Sequence, residues 1–132
     1  MKKNIIFLML IGLFVSCSSD DQEKIESPVV GSWKLIEVLA DPGDGSGTFR
    51  AVESSKTIEF KSNGTIATNT SLCDPYSDEI KSSGSYSVTT NKITTNCQNP
   101  NIATISFELK DNYLILHFIS NEGYSQKFQR IN

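Results

Sequence analysis

The chain has one histidine and only three cysteines among its 132 residues. Cys17, Cys73 and Cys97 show no Cys-x-x-Cys spacing, which speaks against a redox pair. A metal centre needs about three or four ligands, and His117 is the one imidazole on offer, so no metal site is expected. No nucleophile stands in a readable pattern with a base and an oxyanion site; catalytic residues are absent from the reading, and an enzyme is not expected. His117 lies mid-strand in Leu116-His117-Phe118 and reads as a surface or half-buried strand residue. Basic residues number 12 against 15 acids and form no cluster that could track a phosphate backbone, so nucleic acid is not an expected partner. Helical periodicity is missing beyond residue 17, which excludes a helical bundle. The loop Asp41-Pro42-Gly43-Asp44-Gly45 lacks the alternating oxygen ligands and closing Glu of a calcium loop. Glu53 and Glu59 have nothing to pair them for acid–base work, and no cofactor is called for.

What is present begins at the first residue. Lys2 and Lys3 form a basic head, Ile5 to Val15 is a nearly unbroken apolar run, and Ser16-Cys17 closes it. The run is shorter than the ~20 residues of a membrane span and has the three-part layout of a secretory signal. Phe14-Val15-Ser16-Cys17 resembles the lipobox of bacterial lipoproteins, with Phe14 where that family usually has Leu. The resemblance implies a signal peptide over 1–16 and lipidation of Cys17, so that acyl chains hold the protein to a membrane. Residues 18–28 are polar, acidic and without aromatics, and read as a flexible tether. Ser18, Ser19, Asp20 and Asp21 beside the lipid cysteine resemble the surface-export signal of some Gram-negative lipoproteins; the implied location is the outer membrane, facing outward. Loss of Lys2 and Lys3 leaves ten basic residues against fifteen acids.

One small domain, 29–132, remains. Its pattern has period two, punctuated by turn residues. Gly31 to Leu39 reads as a strand with Trp33, Leu35 and Leu39 on one face, and Lys56 to Lys61 as one with Ile58 and Phe60 inward. Asn63-Gly64 turns the chain into Thr65–Thr68, while 49–52 is a weak strand. Further strands are predicted at 84–88, 92–97, 104–110, 113–119 and 124–131, with turns at Thr90-Asn91, Asp111-Asn112 and Asn121-Glu122-Gly123. About eight antiparallel strands in sequence order predict an all-β up-and-down meander, and closure into a barrel would remove its edges. A core this small gains from a staple, and an oxidising compartment favours a Cys73–Cys97 disulfide once Cys17 is lipidated.

Gly31-Ser32-Trp33 at the start of the first strand resembles the Gly-x-Trp motif of lipocalins, and Arg130 stands where lipocalins carry the basic residue that packs over that Trp. The whole domain, with its Gly84-Ser85-Tyr86 strand, resembles the short lipocalin-like domains of bacterial lipoproteins. The resemblance implies barrel closure by a Trp33–Arg130 cation–π contact, which Arg130→Ala would break and Lys127→Ala, on the other face, would spare. It also implies a small apolar or amphipathic ligand. Trp33, Leu35, Ile58, Phe60, Tyr86, Phe107, Leu114, Leu116 and Phe128 would line or fill the interior. A second reading is a structural or interaction lipoprotein that meets an envelope protein partner through loops 41–48 and 69–83. Asn69-Thr70-Ser71-Leu72-Cys73 resembles a stretch of META domains, which would imply a more open all-β sheet.

Overall fold

The computed structural model describes residues 24–74, 82–99, 103–120 and 122–132. Among them run nine strands: β1 (Gly31–Ala40), β2 (Phe49–Ala51), β3 (Thr57–Phe60), β4 (Thr65–Thr68), β5 (Ser83–Ser87), β6 (Lys92–Thr95), β7 (Thr104–Lys110), β8 (Tyr113–Phe118) and β9 (Tyr124–Arg130). From β3 to β9 each strand pairs antiparallel with the next, β3 also pairs with β1, and β9 returns to β1. The result is a closed eight-strand meander barrel of β1 and β3–β9. The β1–β9 seam, from Trp33↔Arg130 to Ala40↔Tyr124, replaces the open META-like sheet with a ring. The weak strand at 49–52 is β2, which pairs with the second half of β1 on the edge that β3 covers along the first half.

Tight turns join neighbouring strands where the sequence supplies residues that tolerate positive φ. Asp111 and Asn112, at φ 51° and 66°, link β7 to β8, and Gly64, at φ 83°, turns β3 into β4. These turns and the start of β1 mark one end of the barrel. The longer connections after Ala40, Thr68, Thr95 and Phe118 crowd the other end, where Cys73 and Cys97 form the expected disulfide with Cα atoms 5.5 Å apart. The bridge ties the loop after β4 to the loop after β6.

One inward assignment changes. The register runs Leu35↔Phe128 and then Glu37↔Lys127, so Ile36 is an extra residue in β1. Such a bulge reverses the alternation beyond it. Leu39, expected inward with Trp33 and Leu35, stands on the outer face opposite Ser125, and Val38 packs against the core instead. The fold also starts ahead of Val29: within the stretch read as a tether, Ile25 packs against the core and its N–H donates to the Ser62 carbonyl at 2.6 Å.

Candidate functional site

The end with the tight turns is closed by one stacked pair. The Arg130 guanidinium lies 4.4 Å from the centre of the Trp33 ring, and the indole N–H donates to the Val29 carbonyl at 2.9 Å. The guanidinium also donates to the carbonyls of Val30 at 2.8 Å, Asn132 at 3.0 Å, and Pro28. Gly31 makes room for it: at φ 139° a side chain is strained, and a Cβ there would overlap the Arg130 guanidinium. The Gly and the Trp of the motif therefore serve the same cation. Below them an open groove of about 590 Å³ is lined by Pro28, Trp33, Leu109, Asp111, Asn112 and Arg130.

Arg130→Ala is expected to cost about 0.5–2 kcal/mol and to shift Trp33 emission, because the cation leaves the only indole. Lys127 is not the idle control that alternation predicted. Its ammonium pairs with Glu37 and sits 4.5 Å from the Phe49 ring centre and 5.5 Å from that of Tyr113, pinning β2 to the barrel wall. Lys127→Ala should therefore lower stability too, yet leave the emission unchanged. Urea titration read by fluorescence and circular dichroism separates the two. Identical emission spectra for both variants would remove the cation–π contact.

All nine residues expected to line or fill the interior do point into it, with exposures of 0–7%. Phe60 meets Tyr86 and Phe107 edge-on at ring distances of 4.9 and 5.3 Å. Tyr86 sends its hydroxyl to the Lys61 carbonyl at 2.7 Å, and burial raises its pKa. Leu114, Leu116 and Phe128 are 0% exposed. These side chains form a packed plug from the closed end to mid-height.

Towards the loops the inward surface changes character. Val38 pairs with Gln126, which is inward, 0% exposed, and donates to the Tyr124 hydroxyl at 3.2 Å. Phe118 packs beside Tyr124 at 5.6 Å between rings. Lys56, 2% exposed, continues the β1–β3 ladder, its carbonyl accepting from the Leu35 N–H at 3.0 Å. It therefore shares the inward face of Leu35. The pairing Ile58↔Thr68, carried two residues further, puts Thr70 across from Lys56. Thr70 is 3% exposed, and its Oγ1 has no hydrogen-bond partner among the described residues. Sequence reading missed this group, although the alternation that put Ile58 and Phe60 inward also puts Lys56 there, and the spacing of Tyr124 and Phe128 does the same for Gln126.

Other groups are committed elsewhere. The Asp41 carboxylate accepts from the N–H groups of Gly43 at 2.7 Å, Gly45 at 2.9 Å and Gly47 at 2.6 Å, and those bonds, Gly47's foremost, lower its pKa. Among the described residues no group of three or more His, Cys, Asp and Glu is placed to hold a metal. His117 stands on the outer wall with Nδ1 2.8 Å from Ser125 Oγ and Nε2 3.3 Å from Glu108 Oε1. This row across β9, β8 and β7 brings a hydroxyl to an imidazole, but β8 is paired on both sides, which leaves its N–H groups in the ladders rather than free for an oxyanion. Cys17 lies outside the described residues.

Compared with known proteins, residues 29–129 match the family described as the lipocalin-like domain. No curated protein matches the chain.

Proposed function

The chain belongs to the lipocalin-like domain family, and from that premise we propose that it is a lipid-anchored envelope protein whose barrel binds a small amphipathic molecule through its loop end. Domains of this kind are usually binding proteins rather than catalysts. The observation that carries the ligand reading is the change of the inward surface along the barrel, from the apolar plug around Phe60 and Phe128 to Lys56, Thr70, Tyr124 and Gln126 near the loops. Buried polar groups amid Val38, Leu72 and Phe118 can orient a molecule that has both a polar and an apolar part. Trp33 and Arg130 obstruct approach from the other end.

The anchoring half of the proposal rests on the basic head, the apolar run and Ser16-Cys17, and the outward-facing location on the Ser and Asp residues that follow. The Cys73–Cys97 bridge is in keeping with an oxidising compartment.

Intact-mass measurement on protein purified from bacterial membranes in mild detergent tests both halves. Under denaturing conditions the chain should begin at Cys17 and carry a multiply acylated glyceryl adduct, which is absent from Cys17→Ala. Under native conditions a further mass should accompany the wild type and be lost from Lys56→Met and from Gln126→Leu. An unmodified Cys17 would defeat the anchor. A native mass with nothing added, in protein never exposed to organic solvent, would defeat the ligand site.

A further inference from the structure

Charge and apolar exposure are both sorted along the barrel axis. Among the described residues four large hydrophobics are exposed: Val88 at 38%, Leu109 at 39%, Ile119 at 62% and Ile131 at 49%. Three of them belong to the closed end: Val88 starts the β5–β6 turn, Leu109 lines the groove beneath Trp33, and Ile131 follows the last residue of β9. Lys24, Lys61, Lys92, Lys110 and Arg130 stand at the same end, where the described acids are Glu26, Asp111 and Glu59, the last already 3.9 Å from Lys61. The described loops of the opposite end carry Asp41, Asp44, Asp74 and Glu122.

The chain also enters at the closed end. Ile25 is fixed there through its bond to Ser62, and Lys24 is only seven residue steps from Cys17, with six residues between them. At no more than about 3.6 Å per residue that stretch reaches roughly 25 Å however it runs. Lipid on Cys17 would therefore hold the closed end within about one barrel length of the bilayer.

We propose that the closed end is a membrane-docking face, with Leu109, Val88 and Ile131 meeting the interfacial layer and Lys61, Lys92 and Lys110 meeting anionic lipid headgroups. This rests on lipidation of Cys17. Docking turns the acidic loop end and the polar layer beneath it away from the bilayer, so the proposed ligand arrives from the aqueous side.

Trp33 lies one guanidinium layer above this face and is the only tryptophan, which makes it a native probe. Lipidated full-length protein is reconstituted into phosphatidylcholine–phosphatidylglycerol vesicles, some of whose lipids carry a headgroup spin label, and Trp33 emission is followed. The wild type should be quenched, and added salt should relieve part of the quenching. Each of Lys92→Glu and Lys110→Glu should shift the docked-to-undocked ratio at least about fivefold, and Leu109→Ser should also reduce quenching, all with unchanged circular dichroism. Protein that fails to float with the vesicles removes the anchor and this proposal with it. Protein that floats, yet shows no quenching or equal quenching in wild type and charge-reversed variants, overturns the docking face alone.

Discussion

Phe60→Ala should destabilise the barrel by about 3–5 kcal/mol, the range for deleting a large buried aromatic ring. Phe60 is 1% exposed and holds the rings of Tyr86 and Phe107 edge-on, so truncation removes its own burial and leaves two aromatic edges facing a void. A Val88→Ser control, at a site 38% exposed, should stay within about 0.5 kcal/mol. Urea midpoints read by far-ultraviolet circular dichroism give both values. A Phe60→Ala loss below about 1 kcal/mol would mean that the plug is loosely packed. The interior would then have room well below the polar layer at Lys56.

Removing the bridge is the second large effect. Cys73→Ser with Cys97→Ser should cost about 3 kcal/mol, since the cross-link closes a loop 24 residues long in the unfolded chain. The wild type should show no reactive thiol from this pair before reduction and two after it. Reductant should lower the urea midpoint of the wild type to that of the double variant and leave the variant where it is. A reductant-insensitive wild type would show that the bridge contributes nothing to stability. Because the bridge joins two loops of the loop end, its loss should also loosen that end.

Most of the ring was legible because a half-buried strand has to alternate. Ile58 and Phe60, Leu114 and Leu116, and Phe107 all lie where period two places them. Closure was legible through Trp33 and Arg130, since a guanidinium over an indole carries its own physical reason. Leu39 shows where alternation stops helping: one extra residue at Ile36 turns the rest of the strand over, and no local signal marks that bulge. Lys127 shows a second limit. Its partners Glu37, Phe49 and Tyr113 come from three different strands, and only the closed seam brings them together. Lys56 and Gln126 were overlooked for another reason. Lysine and glutamine are so rarely buried that composition hid what parity already placed inside. A polar residue at an inward position of a barrel strand is a better pointer to a binding site than another leucine there.

The seam between β1 and β9 has a consequence for how the protein is made. It joins Trp33 to Arg130, contacts that span nearly the whole domain, and Leu35 meets Phe128 in the same ladder. Such distant pairings come late in folding, because a long loop must close before they return anything. During synthesis the ring has to stay open until residue 130 is available. Until then β1 presents an unsatisfied edge, and Trp33 lacks its cation. This is the state in which edge-to-edge association with another copy competes with folding. Variants that weaken the seam should therefore show up first as poor yield and aggregation during expression, before any loss appears in the finished barrel.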